Sequence, residues 1–252
     1  MSHRNVRLAL VFIAGTLSLS FTPQSRPEVL GKITFVLGKA GDVRILHVDR
    51  DLWIPAKTKT AVYAGDKINT QAESRCEVKL VDGSVLRIDE NSRFDFEKSL
   101  LASKKRNFEA SLAQGKIWAN IVSLVWGGEK FEIKSPTAVC AIRGTIYSID
   151  ADSATRVAVY DGQVDVGPTQ ALREQLQQTP RPTGPPQQIP GPTQIPGPYQ
   201  VSLEQWVRLV KGYQLEVRAN GRYAQAPIDQ QRNLQNEWVQ WNLKRDREIK
   251  RD

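Results

Sequence analysis

Carboxylates crowd one stretch of the chain: Asp82, Asp89, Glu90, Asp95 and Glu97. Such groups hydrolyse glycosides when two face each other across a cleft, about 5–9 Å apart, one with a raised pKa. These sit at turns and on the outward positions of alternating segments, where charge is ordinarily solvated. Beyond His3 the chain has only His47, and no nucleophile elbow accompanies it, so no Ser–His–Asp triad can be assembled. No G-x-x-x-x-G-K-[ST] phosphate loop occurs. Cys76 and Cys140 each fall in an apolar alternation. They read either as small buried hydrophobes or as a disulfide. With so few histidines they leave too few soft ligands for a closed zinc site.

Two other groups of residues suit recognition better than catalysis. Arg143-Gly144-Thr145 interrupts an apolar run. It reads as a recognition site, or as a corner in which Gly144 takes a left-handed φ and Arg143 pairs with carbonyls or a carboxylate. Trp238 and Trp241 are either aromatic anchors for a partner or the means of docking a C-terminal helix on its own domain. The run Lys104-Lys105-Arg106 is too short for a nucleic-acid stripe. Chemistry therefore points to a non-enzymatic protein without cofactor or metal that works by contact.

The chain has 252 residues, 40% of them hydrophobic, and a formal charge of +8. That charge favours anionic surfaces such as phospholipid headgroups, lipopolysaccharide or acidic glycans, although the basic residues are dispersed among acids. Residues 1–25 have the form of an export signal or N-terminal anchor. His3, Arg4 and Arg7 precede the apolar run L-A-L-V-F-I-A-G-T-L-S-L-S-F at 8–21, which is short for a bilayer span. A clean cleavage site is missing, so cutting among 18–25 and retention as an inner-membrane tether both stay open. No cysteine follows for a lipid anchor. The expected location is the periplasm.

The elements that must position these residues are strands. Residues 30–167 show period-two alternation broken by Gly, Asp, Asn and Ser, as short antiparallel strands require. Strand pairs are expected about 38–41, Asp82-Gly83, Gln114-Gly115 and Asp161-Gly162. Gly65-Asp66 reads as a turn. The stretch 131–149 reads as two strands with a bend that carries the chain from one layer to the other. Residues 168–200 form a proline-rich linker or loop that repeats Q-I-P-G-P and cannot bury a core; a weak helix over 169–178 is conceivable. A returning hairpin at 201–226 turns about Lys211-Gly212-Tyr213, with a further turn at Asn220-Gly221. A helix at 229–250 is capped by Asp229, with Leu234, Trp238, Trp241 and Arg245 on one face. The fold class is all-β, an antiparallel sandwich of jelly-roll-like form with a C-terminal amphipathic helix.

The order of motifs resembles the periplasmic FecR domain. The matching pieces are G-D-V-R-I (41–45), A-G-D-K-I-N-T (64–70), V-K-L-V-D-G-S-V-L-R-I (78–88) and N-S-R-F-D-F (91–96). They continue with L-A-Q-G-K-I-W-A (112–119), F-E-I-K-S-P-T-A-V (131–139), R-G-T-I-Y-S-I (143–149) and V-Y-D-G-Q-V-D-V (159–166). The resemblance implies an all-β periplasmic domain that works through protein contacts. In the family's familiar arrangement, the domain relays a signal from an outer-membrane transporter to a cytoplasmic sigma factor. That arrangement needs a cytoplasmic segment and a membrane helix ahead of the domain, and only a few residues precede the apolar run here. The expectation is thus a stand-alone exported form, an interaction and sensing module of the cell envelope that contacts envelope proteins. The alternative is a binder of anionic envelope glycan or lipid headgroups, either peptidoglycan or lipopolysaccharide.

Overall fold

The computed structural model describes residues 28–97, 99, 101, 107–122, 130–178, 201–202 and 206–249. The expected export signal, Lys104-Lys105-Arg106, the apolar 124–126 and most of the proline-rich stretch lie outside the described residues.

The all-β expectation holds. One sheet, sheet I, contains β1 (Val29–Leu37), β4 (Ala61–Tyr63), β6 (Arg75–Leu80), β7 (Val85–Ile88) and part of β9 (Asn107–Asn120). It continues with β12 (Ile146–Ala151), β13 (Ala154–Asp161), β15 (Val201–Ser202), β17 (Tyr213–Arg218) and β18 (Arg222–Pro227). Its strands run in the order β4-β1-β6-β7-β9-β12-β13-β17-β18-β15. Sheet II adds β2 (Val43–Leu46), β3 (Ile54–Pro55), β5 (Lys67–Thr70), β8 (Arg93–Phe96), β10 (Lys130–Lys134), β11 (Ala138–Ile142), β14 (Gln163–Pro168) and β16 (Val207–Val210). Its order is β3-β2-β5-β8-β9-β10-β11-β14-β16. Pairing is antiparallel throughout the described strands except between β9 and β10.

Strand β9 belongs to both sheets. Its first half pairs with β8 and β10, its second half with β7 and β12. The turn expected at Gln114-Gly115 is therefore not a turn. A register shift opposite Arg93/Phe94 leaves Ala113 unpaired, and Gly115 takes φ +91. A bulge and a left-handed residue bend a strand without ending it. A Cβ at Gly115 would lie 2.5 Å from the Cα of Ser92, so the bend is packed tightly. The Ser92 hydroxyl accepts the Lys116 N–H at 2.9 Å.

The same correction applies to three other expected strand pairs. Strands β1 and β2, β13 and β14, and β16 and β17 flank glycine turns at 38–41, 162 and 212, yet each pair is divided between the sheets. The turns about Asp82-Gly83 and Asn220-Gly221 do close hairpins. The stretch 131–149 holds three strands instead of two: β10 and β11 pair in sheet II, and the expected bend then carries the chain to β12 in sheet I.

The inward-facing residues of both sheets make one core, among them Ile33, Val78, Ile88, Phe94, Leu112, Ile117, Phe131, Ile149 and Val164. The helix over 169–178 forms as α1 (Gln170–Gln178). The helix expected at 229–250 is split into α2 (Gln230–Gln235) and α3 (Glu237–Ile249). Asp229 caps α2 by accepting the Arg232 N–H at 3.0 Å. Asn236, with extended backbone, accepts the Val239 N–H at 3.3 Å and so starts the second helix. Leu234 is exposed, and the buried face of α3 is Trp238, Val239, Asn242 and Asp246.

Candidate functional site

Arg143, Gly144 and Thr145 form the corner between β11 and β12, with Gly144 at φ +69. Thr145 carries the architecture. It is buried, and its hydroxyl donates to the Gln163 carbonyl at 2.7 Å. Its backbone exchanges hydrogen bonds with Ile121, 3.0 and 3.2 Å long. A Cβ on Gly162 would come within 2.6 Å of the Gly144 carbonyl oxygen, so two sheet-crossing corners pack back to back. The expected partner of Arg143 is not found: its side chain is exposed and makes no ion pair or hydrogen bond with a described residue.

Arg143 continues the outward alternation of Val139 and Ala141 on sheet II. Register places Val139 beside Gly167, Ala141 between Glu132 and Asp165, and Asp165 beside Arg208. Small side chains there leave an open trough of about 520 Å³ lined by Glu132, Ala141, Asp165, Trp206 and Arg208. Trp206 lies over Gly167: a Cβ at Gly167 would sit 2.7 Å from the indole. The ring is nonetheless 47% exposed. Beside it runs β16, an edge strand that pairs only with β14 among the described strands. Charges on this face largely pair with one another. Asp165 accepts from Arg208 at 2.9 Å, Lys134 donates to Glu97 at 2.7 Å, and Lys130 meets Glu109 and Glu132 at 3.1 and 3.0 Å. Arg143 has no such mate among the described residues.

Trp238 and Trp241 lie elsewhere, on α3 against the outer face of sheet I. Their rings stack 5.5 Å apart, and Arg75 lies 5.1 Å from the Trp238 ring. Trp241 also contacts Phe35. The two tryptophans thus dock the helix on its own domain. Beneath them, Glu77, Arg87 and Trp118 are side-by-side residues of β6, β7 and β9. Asp246 of α3 accepts from Arg87 and from the Trp118 indole, both at 2.8 Å. Glu77 accepts from Arg87 at 2.7 Å, from Arg245 of α3 at 2.9 and 3.0 Å, and from Thr34 at 2.7 Å. Burial disfavours the Glu77 carboxylate, but its Arg245, Arg87 and Thr34 donors together outweigh that and hold its pKa at about 2.

The acids weighed for hydrolysis are dispersed into structural work. Asp89 is buried against Arg75 at 2.8 Å, and burial pushes its pKa up despite that partner. Asp82 accepts from the Ser84 N–H and hydroxyl, Asp95 faces Lys67, and Glu90 accepts the Glu73 N–H. His47 bonds Asp66 at 2.8 Å. Cys76 and Cys140 are free, buried thiols on different sheets, so the bridge left open by the sequence is not made; burial pushes both pKa values up. No cluster of three or more metal-ligating residues occurs among the described residues.

Sequence reasoning missed Trp206, Gly167 and Ala141 as a group, and Glu77 and Arg87 as buried charges. A glycine inside a strand, which often marks close approach of another group, was the available signal at Gly167.

No curated relative matches the chain. Two crystal structures of a protein from Parabacteroides distasonis, described as a "putative anti-sigma factor", are similar at 18% identity and TM-score 0.44. The similarity covers 66% of this chain and 61% of that one, so the chain spans about three fifths of their length. No described helix is long and apolar enough to cross a membrane. The FecR protein family model matches residues 66–165, which include Glu132, Ala141, Arg143 and Asp165 of the trough face.

Proposed function

We propose that this protein is a non-enzymatic interaction and sensing module of the bacterial cell envelope, exported to the periplasm, and that its trough on sheet II receives an extended segment of a protein partner. The single observation behind this reading is the trough itself. Small outward residues meet an exposed tryptophan beside an edge strand, and Arg143, a cation without a mate among the described residues, stands at one end. An added strand would satisfy the free main-chain groups of β16. An apolar side chain would fill the space over Ala141 against Trp206, and an acidic residue would pair with Arg143. The FecR match supports a regulatory role through protein contact, and the dispersal of the acids supports a body without catalysis.

A photo-reactive residue placed at Val210, exposed on the edge strand β16 beside the trough, tests this in the full chain in envelope extracts. The same discrete protein should be captured at low and high salt, and Ala141→Trp, which fills the trough, should reduce capture at least tenfold with circular dichroism unchanged. Equal capture from a control probe at Gln225 on sheet I, or capture indifferent to Ala141→Trp, overturns the proposal.

A further inference from the structure

Beyond the row that α3 covers, the outer face of sheet I carries a second open patch. Val29 of β1, Ala61 of β4 and Val81, next to β6, form its floor, and Lys32, Lys59 and Lys79 surround it. The groove measures about 500 Å³. Val29 and Val81 are 45% and 53% exposed.

Its charge is one-sided. Lys32 stands directly opposite Lys79 across the β1–β6 ladder, an arrangement that repels in a sheet. None of the three lysines forms an ion pair with a described residue. The nearby acids are engaged: Asp82 accepts from Ser84, and Glu28 accepts the Leu101 N–H at 2.8 Å. This differs from the face of sheet II, where lysines and carboxylates alternate and pair. A site with unmatched cations around exposed valines calls for a ligand that is anionic and apolar together. A small soluble anion would leave the valines wet, and a neutral apolar partner would leave the lysines facing one another.

The start of the domain narrows the choice. Val29 both lines the patch and opens the first strand, and 27 residues precede Glu28, including the apolar run at 8–21. Seven residues, 22–28, separate that run from Val29, so a bilayer that receives the run lies within about 30 Å of this patch.

We infer that the Lys32–Lys59–Lys79 patch, with Val29 and Val81 at its centre, docks this domain on an anionic phospholipid surface. The valines enter the interface while the lysine stems lie along it and carry their ammonium groups to the phosphates. The inference shares with the proposed function only the placement in the envelope. Vesicle binding at this patch can be read whatever happens at the trough.

The test uses the full chain with Val81→Cys labelled by an environment-sensitive nitrobenzoxadiazole dye. The buried Cys76 and Cys140 leave position 81 as the reactive thiol. Ser153→Cys, exposed at the β12–β13 turn, is the control site. With vesicles containing phosphatidylglycerol, the probe at 81 should brighten and shift to the blue, and the probe at 153 should not. Pure phosphatidylcholine should give no shift at 81, even if residues 8–21 insert. The combined Lys32→Gln, Lys59→Gln, Lys79→Gln variant should need about a hundredfold more anionic lipid, since each lysine beside such a surface contributes several-fold to partitioning. High salt should weaken the shift in the parent and not in the variant. Equal shifts at 81 and 153, an equal response to phosphatidylcholine, or no effect of the lysine changes overturns the inference. So does a shift that depends on protein concentration without vesicles, which would assign the patch to a second copy of the chain.

Discussion

Glu77 shows how a single residue ties acid stability to helix docking. Its carboxyl is nearly buried, and its pKa of about 2 lies well below the ordinary 4.5. A group depressed on folding stabilises the native state above its unfolded pKa, and that contribution fades as pH falls through its folded one. The Glu77 contribution is therefore complete above about pH 4.5 and is lost progressively towards pH 2. Its size is about 3 kcal/mol from the shift alone. Glu77→Gln should lower stability at pH 7 and flatten the acid limb between pH 4.5 and 2, measured by denaturant titration at several pH values. An acid limb of unchanged slope in that variant would show that other carboxylates carry the dependence. Glu77 and Arg87 are outward residues of β6 and β7, set between the inward Cys76 and Val78 and the inward Leu86 and Ile88. Their burial depends on a helix that arrives from more than 150 residues away along the chain, and no local pattern encodes that.

At the level of elements, α3 is fastened by charge as well as by its tryptophans. Asp246 links the helix to Arg87 and Trp118, Arg245 links it to Glu77, and Glu237 links it to Arg75 at 2.5 Å. Removing one member of a buried ion pair costs about 3–5 kcal/mol because the other charge is stranded. Asp246→Ala should leave Arg87 with Glu77 as its one carboxylate partner, strip the Trp118 indole of its acceptor and loosen α3. Faster amide hydrogen exchange should then be confined to 237–249 and the facing β7, with a red shift in tryptophan emission as Trp118 is uncovered. Uniformly faster exchange across both sheets would mean that the helix is part of the global folding unit instead of a separately held layer. The docking role of Trp238 and Trp241 was legible as one of two readings, because an amphipathic stripe must be buried somewhere. The helix break at Asn236 was not, since nothing in the periodicity around it signals a stop. The trough was also hidden. Val139, Ala141 and Gly167 are outward, but as small residues they carry no polar mark that separates an outer face from a core.

Across the whole molecule, one ambiguity explains most of the differences between expectation and structure. A glycine turn between two alternating segments reads the same whether the chain doubles back in its own sheet, as at Gly83 and Gly221, or steps to the other one, as at Gly144, Gly162 and Gly212. All of these glycines take a positive φ, so local conformation does not distinguish them either; only the distant pairing partner does. Strand identity and inward faces follow from two-residue periodicity, and were legible for that reason. Strand β9 is the most consequential instance, because both sheets are built on it. Gly115→Ala should force a side chain into the left-handed region and against Ser92. The expected loss is about 2–5 kcal/mol, combining backbone strain with overpacking. Since β9 is shared, that loss should be felt by both sheets at once. With the six tryptophans of the chain replaced by 5-fluorotryptophan, the resolved fluorine resonance of Trp118 follows sheet I and that of Trp206 follows sheet II. Both midpoints should move to lower denaturant together, in a single transition. Separation of the two curves in the Gly115→Ala protein would show that the sheets fold as independent units and that β9 does not couple them.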